Sequence, residues 1–253
     1  MDRIKFMNIE IDNVTMKEAL HEINRLVKKR GKAYSVTPNV DHIMKLQTDK
    51  EFVEIYKKAD LVLCDGKPLV WISKLYGTPI KEKVSGSDLF PRLCAMSAKK
   101  GYKMYFLGAG PGVAEKAAVN LRKKYKGLNV VGTYSPSYGF EKKEKEVKEI
   151  IGKVRSAQPD ILIVALGAPK QEKFVYEHLD ELNVPFSIGL GASLDFEAGN
   201  IKRAPRWMSN CGLEWLYRIF QDPKRLVKRY LVDDLKIVGL VFKYFPVKNK
   251  ADI

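Results

Sequence analysis

The sequence predicts an α/β fold: a largely parallel, Rossmann-like sheet with helices on both faces, followed by a basic helical appendage at the C-terminal end. Three observations carry this. Segments with strand and helix character alternate along most of the 253 residues, as in sheets built from βαβ units. Several strand candidates, such as "DLVLC" and "DILIVALG", are continuous apolar runs rather than alternating ones, the mark of strands covered on both faces. After about residue 200 the texture changes, with 12 Lys/Arg against 5 Asp/Glu between Ile201 and Ile253. The expected division is a catalytic domain over 1–200 and an appendage over 201–253.

Taken in order, Thr15-Met-Lys-Glu18 has the spacing of a capping box and opens an amphipathic helix that closes near "KKRGK". "AYSVTPN" reads as a strand ending at Pro38. Helical segments follow at about 40–58 and 67–76, with the strand "DLVLC" between them. "SGSDLFPRLCAMSAKKG" is helical and stops at Gly101. Then come "YKMYFLG" as strand, 112–126 as helix, "LNVVGTY" as strand, 141–157 as helix, "DILIVALG" as strand, 169–182 as helix and "VPFSIGLG" as strand. Beyond them Leu226, Tyr230, Val238, Val241 and Phe245 recur mostly at three- and four-residue steps, the pattern of an amphipathic helix with a basic face.

Composition narrows the function classes. Apolar residues make up 45% and charged residues 30%, enough for a core, and the formal net charge of +15 favours anionic partners. Cys64, Cys94 and Cys211 contain no C-x-x-C pair, and His21, His42 and His178 are dispersed, so these residues read as packing or surface positions. The N-terminal stretch interleaves charge with apolar residues and is not read as a signal peptide. No run reaches the roughly 18–20 apolar residues of a membrane span. The expectation is a cytoplasmic protein, peripheral on the inner face of the cell membrane, with its basic tail lying on the anionic surface; the bland alternative is a C-terminal helix packed on the main domain.

In parallel sheets, ligands collect beyond the carboxyl ends of the strands. Four strand ends carry suggestive residues: Thr37-Pro-Asn39, Asp65-Gly66, Gly108-Ala-Gly110 and Gly167-Ala-Pro-Lys-Gln171. A carboxylate at such an end, beside a residue with no side chain, is a candidate general base. The bland alternative is that Asp65 caps the helix opening near Lys67. "YFLGAGPGVAEKAA" is a glycine-rich turn between strand and helix, able to approach a phosphate through Gly108 and Gly110. It is G-x-G-x-G, and the next strand ends without the acidic residue an NAD site uses, which counts against an NAD-linked oxidoreductase. Asp195-Phe-Glu197, read as extended, places two carboxylates on one face; a single pair is little for a hard cation, and a ribose or base contact from Asp195 is the better reading. Arg218, Arg225 and Arg229 are seven and four residues apart and line one side of a continuous helix, provided Pro223 does not break it. Basic residues among Trp207, Trp215 and Tyr217 also suit nucleic acid, but that reading leaves the polar strand ends unexplained.

The segments "TPNVDHIMKL", "ADLVLCDGKPLVW", "KVSGSDLF", "FLGAGPGVAEKAA", "ALGAPKQEKF", "GLGASLDFEAGNIKRAP" and "GLEWLYRIFQDPKRLVKRYL" together resemble the WecG/TagA/CpsF family of bacterial glycosyltransferases, and its TagA branch in particular. The resemblance implies transfer of N-acetylmannosamine from a UDP-sugar donor to undecaprenyl-diphosphate-linked N-acetylglucosamine, in synthesis of the wall teichoic acid linkage unit. Inversion at the sugar carbon, no metal and no cofactor are further implications. It assigns Asp65 as base, Thr37 and Asn39 to the sugar pocket, Gln171 as a polar active-site residue, and Arg218 and Arg225 as cations from an appendage that meets the membrane. The chain has Lys83 where such sequences tend to have arginine, and Lys228-Arg229 near a third arginine position. Lysine keeps the charge but not the planar fork. Together with Arg203, these residues are expected to meet the donor. Relatives also transfer other UDP-sugars, the uronic acid of N-acetylmannosamine or glucose, to polyprenyl-diphosphate-linked acceptors. Apolar helix faces leave room for a homo-oligomer.

Overall fold

Several strand candidates are apolar on both sides of their pleat, and the sheet they build is sandwiched accordingly. The computed structural model describes residues 2–245, without the side chains of Arg206, Asn210 and Arg225. The strands of the main sheet are β3 (Ala33–Val36), β4 (Leu61–Val62), β5 (Lys103–Gly108), β6 (Asn129–Tyr134), β7 (Ile161–Ala165) and β8 (Phe186–Gly189). They are all parallel and ordered β4-β3-β8-β7-β5-β6. The side-chain period of two then divides the core. Met104, Phe106, Ile161 and Ile163 point into one apolar layer, and Tyr105, Leu107, Leu162 and Val164 into the other. Helices α1 (Met16–Lys29), α5 (Gly86–Lys100), α6 (Val113–Lys124) and α10 (Ser193–Ala198) cover the first layer. Helices α3 (Lys50–Lys58), α4 (Lys67–Leu75), α7 (Glu144–Ala157) and α8 (Lys170–Glu177) cover the second. Two short helices, α2 (Val40–Lys45) and α9 (Leu179–Leu182), complete the domain.

The capping box at Thr15 is present in full: the Thr15 hydroxyl accepts from Glu18 N–H, and the Glu18 carboxylate accepts from Thr15 N–H at 2.7 Å. Gly101 ends α5 in the left-handed conformation, as its position after "AKK" predicts. The expected helix over 40–58 is two helices, because Asp49 caps a new one by accepting from Phe52 N–H.

An antiparallel hairpin, β1 (Arg3–Phe6) with β2 (Ile9–Asp12), has no counterpart among the predicted elements. It buries Phe6, Ile9 and Ile11 and covers the edge of the main sheet. The buried Asp12 carboxylate accepts from Val62 N–H of β4 at 2.7 Å and from Arg3 Nε at 3.0 Å, while Arg3 Nη2 donates to the Ala59 carbonyl at 2.8 Å.

After α10 the chain forms α11 (Arg206–Asn210), α12 (Glu214–Gln221), α13 (Pro223–Lys228), a π-helical turn over Arg229–Asp233, a 3-10 turn over Asp234–Lys236 and α14 (Ile237–Lys243). The long amphipathic helix expected over 226–245 is thus present as one unbroken helical run over 223–243, irregular at its centre where it passes through the π and 3-10 turns. Leu226 and Ile237 are buried, and Ile237 joins the second core layer, so the appendage is packed on the domain. Tyr76 Oη donates to the Val241 carbonyl at 3.1 Å and Tyr244 Oη to Gln47 Oε1 at 3.0 Å. Residues 246–253, part of the expected basic tail, lie outside the described residues.

Candidate active site

Because the strands are parallel, all their carboxyl ends open on one rim. In the spatial order of the sheet this rim carries Asp65 after β4, Thr37 and Asn39 after β3, the turn from Gly189 to Ser193 after β8, Gln171 after β7 and the loop from Gly108 to Gly112 after β5. The structure therefore brings together the polar strand ends singled out in the sequence.

Asp65 is half-buried. Its N–H donates to the Pro38 carbonyl at 2.8 Å, tying its loop to the one that carries Thr37 and Asn39, and its Oδ2 accepts a long 3.5 Å bond from Gly86 N–H. It does not cap α4: the capping position belongs to Gly66, which makes no side-chain cap. Gly66 has φ +147°, a conformation that side chains disfavour, and this lets the chain turn from the strand into α4. Burial pushes the Asp65 carboxyl up to about 6; Lys83 and Arg218 pull against this, and Glu214 pushes with it. The group is still mostly ionised at neutral pH and poised to take a proton.

Lys83 is the charge that opposes this upward push most strongly. Its Nζ lies 3.6 Å from Asp88 Oδ2, 3.9 Å from Glu214 Oε2 and 3.4 Å from Ser209 Oγ. Arg203 Nη2 donates to Asp88 Oδ1 at 2.7 Å and Ser85 Oγ to Asp88 Oδ2 at 2.6 Å. Against burial, which would raise it, these two contacts hold the Asp88 carboxyl below its usual value. The appendage closes over this corner. Gly212, between α11 and α12, sits on Trp71 of α4 so tightly that a Cβ there would come within 2.5 Å of the ring. Arg218 of α12 sends a half-buried guanidinium to 6.0 Å from the Phe196 ring centroid. Asp88, Ser209 and Glu214 were not singled out in the sequence, although "SGSDLF" and "GLEWLY" contain two of them.

Thr37 and Gln171 are only 4% and 3% exposed, so they form the floor of the rim. Thr37 Oγ1 donates to the Gly189 carbonyl at 3.4 Å. Asn39 caps α2, its Oδ1 accepting from His42 N–H at 3.1 Å. Gln171 accepts from Gly191 N–H at 3.2 Å and donates to Glu172 Oε1 at 2.7 Å. His42 is a core residue whose Nδ1 meets Tyr56 Oη at 2.6 Å, and burial holds it neutral by pushing it down to about 3.

Gly108 owes its identity to packing: with φ +112°, a Cβ would lie 2.4 Å from the Ala165 carbonyl oxygen of β7. Gly110 is exposed, and its carbonyl accepts from Ser135 Oγ at 3.1 Å. The loop leads into the N-terminus of α6, which has no side-chain cap and whose first N–H, that of Val113, donates back to the Gly110 carbonyl at 3.1 Å.

Two expectations need correction. Asp195 and Glu197 lie on helix α10, not on an extended segment, so at about 100° per residue they do not share a face. Glu197 pairs with Lys124 at 3.6 Å, and among the described residues no group of three His, Cys, Asp or Glu is arranged to hold a metal ion. Arg218 does not share a continuous helix with Arg225 and Arg229, because α12 ends at Gln221, the backbone leaves helical geometry at Asp222 and a new helical run starts at Pro223; Arg225 and Arg229 follow one another on that run. The Arg225 side chain lies outside the described set. Lys228 is exposed, whereas Arg229 turns inward, 3.6 Å from Asp41 and 3.9 Å from Asp234.

The model of the "Glycosyl transferase WecG/TagA/CpsF family" matches residues 4–251. The chain belongs to this family. It is 31% identical over 223 residues to a protein of Bacillus spizizenii named N-acetylglucosaminyldiphosphoundecaprenol N-acetyl-beta-D-mannosaminyltransferase, covering 88% of this chain and 83% of that one. Proteins of the same name from Bacillus subtilis (32% over 178 residues, 70% of this chain and 67% of the relative) and Staphylococcus aureus strain MW2 (25% over 226 residues, 88% and 87%) are also similar. In this WecG/TagA/CpsF glycosyltransferase the polar strand ends gather at the rim of the parallel sheet.

Proposed function

We propose that this glycosyltransferase moves N-acetylmannosamine from a UDP-linked donor to N-acetylglucosamine carried on undecaprenyl diphosphate, the reaction for which its relatives are named. The observation that carries this reading is Asp65: a half-buried carboxylate at the rim, pushed up to about 6 yet faced by Lys83 and Arg218. The acceptor hydroxyl gives its proton to Asp65 as its oxygen attacks the anomeric carbon. The bond from that carbon to the diphosphate breaks, and its electron pair leaves with UDP. Attack from the face opposite the leaving group inverts the sugar carbon. Lys83, Arg218 and the N-terminus of α6 supply the positive potential that the leaving diphosphate needs, so we propose that the reaction runs without a metal. Arg225, Lys228 and Arg203 are proposed to assist at the membrane side, and Asp195 to contact the nucleoside.

Among the described residues no helix is long and apolar enough to cross a membrane. The appendage nevertheless exposes Phe220, Leu231, Leu235, Val238 and Phe242, with Phe220 and Phe242 77% and 75% exposed. Lys224, Lys228, Lys236 and Lys243 lie in the same stretch. Such a surface fits the inner face of an anionic membrane, where the lipid-linked acceptor resides.

The test is a transfer assay with a lipid-diphosphate N-acetylglucosamine acceptor and a panel of UDP-sugars, with Asp65→Asn as control. Turnover with the N-acetylmannosamine donor, lost in Asp65→Asn while UDP binding remains, is expected. Preference for another UDP-sugar would replace the donor and leave the base assignment standing.

A further inference from the structure

Glu172 follows Gln171 on the first turn of α8 and is 3% exposed. Its Oε1 accepts the Gln171 Nε2 hydrogen at 2.7 Å, while its Oε2 is buried with no hydrogen-bond partner. An unsatisfied buried acceptor is costly, so an apolar side chain would be cheaper here. Burial pushes the carboxyl up to about 7; the Gln171 hydrogen bond, the residue's own N–H and Lys45 pull it down, and Asp41 pushes it up more weakly.

What the carboxyl does is choose the orientation of a neighbour. A glutamine side chain has a donor end and an acceptor end. Gln171 Oε1 accepts from Gly191 N–H and Nε2 donates to Glu172. Flipping the amide would set two donors against each other at Gly191 and two acceptors against each other at Glu172, losing both contacts. The side chain is also laid on β8, since a Cβ at Gly189 would come within 2.6 Å of Gln171 Nε2. Both ends of the carboxamide are thus engaged inside the protein, gripping the turn that follows β8.

That turn leads to the base. Ser193 Oγ closes it by donating to the Leu190 carbonyl at 2.8 Å. A Cβ at Gly86 would lie 3.2 Å from Leu190 Cδ2 and 3.5 Å from Ser193 Oγ, so the first residue of α5 rests directly on the turn. Gly86 N–H is the donor that reaches Asp65 Oδ2.

We propose that Glu172 and Gln171 are positioning residues, a buried clamp that holds the Leu190–Ser193 turn and, through Gly86, sets Asp65 for proton transfer. This rests on the reading of Asp65 as the base. The clamp acts through the reacting carboxylate rather than on the donor, so its loss lowers kcat and leaves the donor KM in place.

The experiment measures kcat, donor KM and thermal midpoint for Glu172→Met, Glu172→Gln, Gln171→Met and the double variant Glu172→Met/Gln171→Met, beside Asp65→Asn. Glu172→Met is expected to lower kcat about tenfold with donor KM within about twofold and no loss of thermal midpoint. Glu172→Gln keeps an acceptor at Oε1 and is expected to restore kcat to within about threefold of the parent. In the Gln171→Met background, Glu172→Met is expected to add less than about twofold. Unchanged kcat in Glu172→Met, failure of Glu172→Gln to rescue, or fully multiplicative effects would each overturn the clamp. If Glu172→Met does not fold, hydrogen exchange of the Gly191 amide in the parent decides: protection supports the clamp, and exchange at the rate of an exposed amide overturns it. An inactive Asp65→Asn beside an unimpaired Glu172→Met removes the clamp alone, whereas an active Asp65→Asn removes the base reading and the clamp with it.

Discussion

Lys83 Nζ stands 3.9 Å from Glu214 Oε2, an ion pair that joins the loop before α5 to the first turn of α12. It places one cation between the carboxylate of the domain and that of the appendage. Removing it in Lys83→Met takes away the largest charge opposing protonation of Asp65. Because the base works in its ionised form, the acidic limb of the kcat–pH profile moves to higher pH, by about one unit. Lys83→Arg is expected to return the limb to its original place. A pH series on the three proteins checks this.

Asp65→Asn is expected to trade turnover for stability. The folded carboxyl is held near about 6 against an ordinary value of 3.8. Between those pH values the folded state binds the extra proton, so the parent loses stability as pH rises from about 4 to about 6, and above that it bears the full cost. Asparagine removes this cost, which is on the order of 2–3 kcal/mol for a shift of this size. Denaturant midpoints should favour the variant at pH 8, with the advantage shrinking toward pH 4, while transfer is lost.

Phe242→Asp addresses the proposed membrane surface. Phe242 is 75% exposed on α14, so the change costs the fold little. The thermal midpoint is expected to stay within about 2 °C. Cosedimentation with vesicles containing anionic lipid should fall several-fold, and activity on vesicle-borne acceptor should fall with it.

Gly108→Ala separates packing from ligand binding in the glycine loop. The added methyl meets the Ala165 carbonyl at 2.4 Å, at a φ that alanine disfavours. A loss of about 3 kcal/mol or more is expected from chemical denaturation. By contrast, Gly110→Ala has open space on most sides, its nearest neighbour being Val113 Cγ2 at 3.6 Å. It should be close to neutral for stability, leaving any activity change to the site itself.

Much of this was legible in the residues. Continuous runs such as Leu61–Cys64 and Ile161–Ala165 betray strands covered on two faces, and the polar residues that end them mark the rim. The hairpin was not legible, because Arg3–Phe6 and Ile9–Asp12 are four-residue strands joined at Met7 and Asn8 without a glycine turn. Asp195 and Glu197 misled because a six-residue helix is too short to show its period. Pro223 hid whether Arg225 and Arg229 continue the helix that carries Arg218, which the backbone break at Asp222 decides. The adjacency of Gln171 and Glu172 was plain, but nothing in two neighbouring letters tells which end of an amide faces a carboxylate.

The hairpin has a practical corollary. β4 is only two residues long and lies at the sheet margin, and Asp12 rather than another strand occupies the Val62 amide. Stripping the hairpin away would leave a naked border able to recruit a foreign strand. Proteolytic trimming or a bulky fusion at this end is therefore expected to promote clumping and to disturb the carboxylate three residues further on. Tags for purification belong elsewhere.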